Sequence, residues 1–436
     1  MERITCKFGG SSLADAACIR QVIDIIRANP SRKYIVPSAP GKRTADEQKI
    51  TDLLYAWHSM ARRGLDPAEP KGIIEERFSS LARELGVSFN VQPCLEEISR
   101  HAAADEAPDY MASRGEYLNG RLIAEALGAT FVDPAECILF KKNGQLDPQS
   151  YTLLAERLQG DGLFVIPGFY GATPKGEIKT FSRGGSDVTG AIVARATAST
   201  LYENWTDVSG FRMADPRIVP DAKRIEEITY RELRELSYMG ATVLHDEAIF
   251  PVREPGIPIH ILNSKKPDNP GTLIVANRDS KRPVCGIAGR RGFTMFNIEK
   301  TLMNKEHGFG RKLLSIFEEH RVSWEHMPTG IDTISIIASD EELKEKETVI
   351  VEAIERLLEP DELHVTSGLA IIATVGKGMN RLVGVAARLT GALAGAGVNI
   401  RVINQGSSEM NILIGVEDQD LEKSVEAIYR VFDAWE

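Results

Sequence analysis

Apolar residues in the first two-thirds of the chain fall into two alternating textures. Short, β-branched runs at 4–8, 34–36, 131–132, 164–166, 201–205 and 258–262 have the length and composition of strands. Between them, Ile19, Val22, Ile23 and Ile26 recur at the spacing of one helix face behind Asp15, an N-cap residue. Leu118, Leu122, Ile123 and Leu127 likewise recur with a helical period up to a stop at Gly128. Such alternation predicts a mostly parallel sheet with helices on both faces. In sheets of that kind ligands gather where a strand's carboxyl end leads through a loop into a helix, so the loops after strands carry the information.

Composition narrows the picture. The chain has 436 residues, enough for two to three domains, and is 43% hydrophobic and 26% charged, ordinary values for a globular protein and incompatible with wholesale disorder. Fifty-two basic against 62 acidic residues leave a formal charge of −10 with no basic block, which argues against a nucleic-acid partner. No apolar run approaches 18 residues, and Met1-Glu2-Arg3 leads straight into a strand-like segment, so neither a membrane span nor a signal peptide is expected. Five scattered cysteines, Cys6, Cys18, Cys94, Cys137 and Cys285, read as reduced core thiols of a cytoplasmic protein.

Three loops carry candidate chemistry. Lys7-Phe8-Gly9-Gly10-Ser11-Ser12 follows the first strand and opens the first helix; its glycines let a phosphate approach backbone N–H groups. The lysine precedes the glycines, so this is not a P-loop. Phe181-Ser182-Arg183-Gly184-Gly185-Ser186-Asp187 sets an arginine at another helix start, where the plain alternative is that Ser186 or Asp187 caps the helix. The third loop runs from Asn204-Trp205-Thr206-Asp207-Val208-Ser209-Gly210 to Asp215-Pro216-Arg217, and by itself is compatible with an Asx turn. Two anion-binding loops in one domain suggest two anionic ligands meeting.

With these residues in view, the chain resembles the aspartokinases of the amino-acid kinase family. Six motifs appear in family order: 7–12, Ser38-Ala39, Ser113-Arg114-Gly115-Glu116, 182–187, Trp205-Thr206-Asp207-Val208 and Asp215-Pro216-Arg217. The resemblance implies transfer of the ATP γ-phosphoryl group to the β-carboxylate of L-aspartate, with Mg²⁺ carried by the nucleotide and no metal site of the protein's own. It also implies roles. Lys7, Asp187 and Arg183 are the catalytic group, Arg183 gripping a substrate carboxylate and Asp187 orienting Lys7. Ser38, Thr51, Glu116, Phe169, Arg183 and Ser186 line the aspartate pocket, with Glu116 facing the α-ammonium. Lys7, Gly9, Gly10, Gly185, Thr206, Asp207 and Arg217 hold ATP. Two positions depart from the family pattern on the nucleotide side: Arg212 replaces a common tyrosine and Thr242 a common lysine. His245 is read as structural, and the polar stretch 42–49 as an insertion forming a mobile edge of the site. Another amino-acid kinase, or an amino-acid sensor with a lapsed kinase domain, stands as the alternative.

The texture changes near 284, where a boundary is expected between a catalytic domain, 1–283, and a regulatory region, 284–436. There, 313–317 leading to Val322 parallels 389–393 leading to Val398 at an offset of 76 residues, and the same offset carries 334–337 onto 410–413 without a gap. The repeat resembles tandem ferredoxin-like ACT modules, the first over about 293–369 and the second over about 370–436 completed by a strand near 284–292. By that resemblance Met303, Phe309, Ser323, Trp324, Glu325 and Thr329 match an effector pocket, with Glu325 accepting a lysine ammonium. A plain reading makes Met303 and Phe309 core and Glu325 a solvated strand residue. Pairing of ACT modules across subunits implies a homodimer or larger homo-oligomer.

Overall fold

The computed structural model describes residues 2–103, 108–182, 184–240, 244, 246–279, 282–406 and 408–435. Two compact units emerge. One comprises Met1–Phe211, Arg224–Leu233 and Thr242–Arg278, the other Arg212–Lys223, Arg234–Ala241 and Asp279–Glu436. The boundary expected near 284 therefore captures only the last of three segments of the second unit. The two short segments join it through long-range bonds: for 212–223, the Ile287 amide donates to the Met213 carbonyl at 2.6 Å, the Tyr429 hydroxyl accepts from the Lys223 amide at 3.0 Å, and Arg430 pairs with Asp221 at 2.6 Å; for 234–241, the Asn411 side-chain amide donates to Glu235 at 2.6 Å. No local change of composition marks such partnerships.

The first unit is built on strands β1 (Ile4–Phe8), β2 (Arg32–Pro37), β3 (Thr130–Phe131), β4 (Phe164–Val165), β5 (Tyr170–Ala172), β6 (Ile178–Thr180), β7 (Leu201–Thr206), β8 (Glu227–Thr229), β9 (Ile259–Asn263) and β10 (Thr272–Val275). All but β5 and β6, which pair as a separate antiparallel hairpin, form one sheet in the order β3-β4-β2-β1-β7-β9-β10-β8. Neighbours are parallel throughout except β9 with β10. The central β1 is buried along its whole length, as expected of a strand covered on both faces.

Helices α1 (Ala16–Arg27), α2 (Ile50–Arg62), α3 (Ala68–Leu85), α4 (Gln92–Ala103), α5 (Pro108–Leu127), α6 (Gln149–Arg157), α7 (Gly185–Ala196), α8 (Tyr230–Tyr238) and α9 (Ile249–Arg253) follow. The face of α1 is the expected one: Ile19, Val22, Ile23 and Ile26 are buried, and the Asp15 carboxylate caps the helix by accepting from the Cys18 amide at 2.8 Å. The α5 face likewise buries Leu118, Leu122 and Ile123, and the chain turns out of that helix at Gly128 with φ 63°. No helix among the described residues is long and apolar enough to cross a membrane.

The second unit carries an antiparallel sheet of β11 (Gly286–Glu299), β12 (Trp324–His326), β13 (Thr333–Ser339), β14 (Glu362–Val375), β15 (Val402–Asn404) and β16 (Asn411–Glu417) in the order β12-β13-β11-β14-β16-β15. The two 14-residue strands, β11 and β14, lie side by side. The 293–299 half of β11 pairs with β13, while the 369–375 half of β14 pairs with β16 and with residues 286–289 of β11. Helices α10 (Phe309–Glu319), α11 (Asp340–Leu343), α12 (Glu347–Leu358), α13 (Val385–Gly395) and α14 (Leu421–Asp433) complete the unit. The core of its first half is Phe296, Ile298, Phe309, Leu313, Ile336 and Ile354 with their neighbours.

The internal repeat is present with one correction. Helices α10 and α13 begin and end 76 residues apart, but β12 and β15, and β13 and β16, are 78 apart. The repeat thus has two extra residues in the turn after its helix, not an ungapped match. A slip of two returns every strand side chain to the same face, so the apolar pattern is blind to it.

Candidate active site

Strand β1 lies in parallel register with β7, setting Lys7 opposite Asn204. The Lys7 ammonium is 2.6 Å from Asp187 Oδ1 in the first turn of α7 and 3.4 Å from Asn204 Oδ1, and the Asn204 amide donates to the same Asp187 oxygen at 2.8 Å. The Tyr202 hydroxyl donates to the Asp187 carbonyl at 3.0 Å, fixing the start of the helix. A carboxylate there also complements the helix dipole. Gly184, with φ 56°, precedes α7, and no side chain caps it. The alternative role for Ser186 and Asp187, as helix caps, is not what the structure presents: both lie inside the first turn of α7, behind Gly184.

The first glycine loop forms a tight cradle. The Gly9 amide donates to the Trp205 carbonyl at 3.0 Å, and the Gly41 amide to the Gly10 carbonyl at 2.9 Å. Gly41 lies so close that a Cβ on it would stand 2.6 Å from the Gly10 carbonyl carbon, and one on Gly185 would stand 2.6 Å from the Phe169 ring. Glycine is required at both positions by backbone approach. Ser12 Oγ is 2.6 Å from Ser264 Oγ, and Ser264 in turn donates its amide and hydroxyl to the Thr206 carbonyl at 2.9 and 3.1 Å. This links the cradle to the end of β7. Asn263 adds bonds to the Asp207 carbonyl at 3.2 Å and Ser209 Oγ at 2.9 Å.

Beside the cradle lies a second pocket wall. The Ser38 amide donates to the Phe8 carbonyl at 3.0 Å, and its carbonyl accepts from Asn119 at 2.6 Å. Glu116 on α5 is buried; the Ala39 amide donates to its carboxylate, and its Oε2 has no hydrogen-bond partner among the described residues. Burial pushes the Glu116 carboxyl up to about 7, against the opposing pull of that amide and of Arg114. Phe169 holds φ 83°, and its amide donates to Thr189 Oγ1 at 3.1 Å. A Cβ on the preceding Gly168 would meet Ser186 Oγ at 2.5 Å. Thr51 sits in the first turn of α2, next to Ile50, whose methyl a Cβ on Gly115 would approach at 3.2 Å. Arg114, by contrast, is structural: its guanidinium stacks on the rings of Tyr110, Tyr117 and Tyr170 and donates to Ser113.

The amino acid kinase family matches residues 2–263, and an ACT domain matches 372–432. Aspartokinase 3 of Bacillus subtilis is 40% identical over 445 residues, covering 98% of both chains. The chain belongs to the aspartokinases, within the amino acid kinase family. The aspartate kinase of Clostridium acetobutylicum superimposes with a TM-score of 0.92 at 47% identity, over 99% of this chain and 100% of that one. Aspartokinase III of Escherichia coli, solved with aspartate and ADP in an R-state and with lysine and aspartate in a T-state, superimposes at 0.76 with 27% identity and the same coverage.

Against the aspartokinase pattern, Lys7, Gly9, Gly10, Gly185 and Asp187 come together at one end of the sheet, with Ser38, Glu116, Phe169 and Ser186 beside them. Arg183, Thr242 and His245 lie outside the described residues. Thr206 closes β7 and Asp207 is exposed. Arg217 belongs to the second unit, where it is exposed and paired with Asp215 at 2.6 Å. Arg212, also in the second unit, donates to the Ala222 carbonyl at 2.6 Å. Sequence reasoning missed Asn204, Asn263 and Ser264. Asn204 opens the third motif and Asn263-Ser264 follow a strand, so the rule that singled out the other loops would have found them. The stretch 42–49 includes Glu47, which pairs with Arg43 at 2.6 Å and with Arg77 of α3 at 2.7 Å, so it is tethered where a mobile edge was expected.

Within the second unit, Met303 and Phe309 are buried in the core, as the plain reading has it. Trp324 is 49% exposed and Thr329 is exposed, and the Ser323 amide donates to Glu342 at 2.5 Å. Glu325 corrects the plain reading, in which it is a solvated strand residue. Its carboxylate is not solvated: Arg290 Nη2 holds Oε1 at 3.0 Å, and the Tyr238 hydroxyl donates to Oε2. Burial and that carboxylate push Tyr238 up to about 12, keeping it a donor. All five cysteines are free thiols, four of them buried.

Proposed function

We propose that this chain transfers the γ-phosphoryl group of MgATP to the β-carboxylate of L-aspartate, giving 4-phospho-L-aspartate and ADP, the step that opens lysine, threonine and methionine synthesis. The observation that carries the reading is the Lys7–Asp187 pair at the start of α7, beside a cradle in which a Cβ on Gly41 or Gly185 would clash. An aspartate side chain, with an ordinary pKa near 3.9, is already ionised at neutral pH. No general base is needed. A carboxylate oxygen attacks the γ-phosphorus while the bond to the β,γ-bridging oxygen breaks and ADP leaves. The problem for the protein is the repulsion of two anions and the charge on the phosphoryl group in flight.

Lys7 meets that charge, and Asp187 with Asn204 holds its ammonium in place. The uncapped N–H groups of α7 and the backbone of Gly9, Gly10 and Gly185 serve the phosphates, with Thr206 and Asp207 on the nucleotide. Mg²⁺ arriving on ATP neutralises phosphate charge; among the described residues no cluster of His, Cys, Asp and Glu suits an ion of the protein's own. Arg183 grips the α-carboxylate, and Ser38, Thr51, Phe169 and Ser186 shape the pocket. Glu116, buried and with one oxygen unpartnered, supplies the ammonium acceptor, and a substrate cation restores its charge.

Lysine is the favoured effector, since Glu325 supplies a carboxylate for a second ammonium and threonine carries none. To reach it, lysine competes with Arg290 and Tyr238. The enzyme works in the cytoplasm as at least a homodimer joined through its ACT modules. Coupled ADP release with aspartate, glutamate, acetylglutamate or no acceptor tests the reading. Turnover is expected with aspartate alone; preference for another acceptor assigns a different amino-acid kinase, and none with any acceptor leaves a sensor.

A further inference from the structure

We infer that Arg77, on a helix outside the proposed site, is a positioning residue for its aspartate end. Arg77 lies midway along α3 and its side chain is only 4% exposed. From there one guanidinium reaches three points on two loops. Its Nη1 donates to Glu47 Oε1 at 2.7 Å, and its Nη2 donates to the Gly41 carbonyl at 2.8 Å and to the Ala14 carbonyl. Ala14 is the exit of the turn Gly10–Leu13 that carries the first glycine loop. Gly41 is the residue stacked backbone-to-backbone on Gly10, donating its amide to the Gly10 carbonyl. Arg77 thus fixes the far side of the peptide that packs on the cradle, and the exit of the cradle itself.

Of the two remaining Arg77 N–H groups, the one on Nε is buried without a partner among the described residues. An unsatisfied buried donor costs stability, and an apolar side chain of similar volume would fill the space without that cost. What the guanidinium supplies instead is a planar fork that ties together loops far apart in sequence. The held segment, 39–49, is bracketed by Ser38 and Thr51, which the proposed function places on aspartate; the inference rests on that reading. Loosening the segment shifts both ends of the aspartate pocket while Lys7 and Asp187, fixed by β1, β7 and α7, stay in place. Arg77 touches no substrate, so its effect falls on KM before kcat.

The test is steady-state kinetics of Arg77→Met, Arg77→Lys and Glu47→Gln, with aspartate and ATP titrated separately and thermal unfolding followed in parallel. Arg77→Met is expected to raise the aspartate KM about tenfold, the loss of charge-assisted bonds acting through loop placement, with ATP KM and kcat changed far less. Arg77→Lys recovers part of the loss. Glu47→Gln, which leaves the buried arginine in place, moves the aspartate KM in the same direction by less. A lowered melting temperature with the aspartate KM unchanged in Arg77→Met and Glu47→Gln makes Arg77 merely structural and overturns the inference. Equal rises in both KM values overturn it too. Wild-type turnover without aspartate dependence strikes the functional reading itself, and is distinguished by needing no variant.

Discussion

Lys7–Asp187 in the first unit and Arg290–Glu325 in the second are both ion pairs with a polar third partner, Asn204 in one and Tyr238 in the other. Their surroundings differ. Lys7 and Asp187 are 10% and 15% exposed, on a central strand and a helix start, among backbone segments that leave no room for a Cβ. Glu325, at 8% exposed, is as buried as the first pair, but its partner Arg290 is 38% exposed and stacks over the Phe293 ring. On the roles proposed for them, the contrast separates two tasks: a pair that stabilises charge in flight has to be fixed beforehand, whereas a pair that senses a ligand has to be exchangeable, here through its exposed partner.

The largest effect expected on this account comes from the fixed pair. Lys7→Met or Asp187→Asn should lower kcat about a hundredfold or more, roughly 3 kcal/mol of lost charge stabilisation, with a much smaller change in aspartate binding. Single-turnover rates beside equilibrium aspartate binding make the comparison. Near-normal turnover in either variant removes the pair from the mechanism.

Glu116 is intermediate. Its carboxyl, raised to about 7 in the ligand-free fold, has an ordinary value near 4.3 when unfolded. Folding therefore favours the protonated form. The associated stability is fully present below about pH 4 and is lost as pH rises through 7. Glu116→Gln should melt higher than wild type at pH 8, with the gap closing by pH 5, and its aspartate KM should rise about tenfold because an amide carries no charge for an ammonium. In wild type, aspartate affinity should fall as pH drops from 8 to 6. A pH-independent KM over that range separates Glu116 from the substrate.

The smallest effect belongs to the exchangeable pair. Glu325→Gln should raise the lysine concentration for half-inhibition about tenfold, with coupling of about 1–3 kcal/mol at stake. Threonine titrated in parallel is the control. Inhibition by threonine and not by lysine removes Glu325 as the reader of a second ammonium.

What could be read from the chain follows from how far each contact reaches along it. The central strands and α1 were legible because burial on both faces, or on one helix face with a capping Asp15, writes a local pattern. The glycine loops were legible because close backbone approach demands glycine next to a strand. Edge strands such as Glu227–Thr229 are three residues long and leave no periodicity to detect. The helices Ile50–Arg62, Ala68–Leu85 and Gln92–Ala103 fill the long gap between the second and third strands, where alternation alone suggests a single crossover. The association of 212–223 with the second unit, the grip of Arg77 on Gly41 and the occupancy of Glu325 by Arg290 are partnerships between distant residues. One sequence holds no signal for them beyond the residue types involved.

Trapping the product with hydroxylamine addresses the central claim most directly, because an acyl phosphate yields a hydroxamate and simple ATP hydrolysis does not. With MgATP and L-aspartate, aspartyl hydroxamate should form in step with ADP, and both should fall together in Lys7→Met. ADP released without hydroxamate, or hydroxamate formed at an undiminished rate by Lys7→Met, would contradict the account.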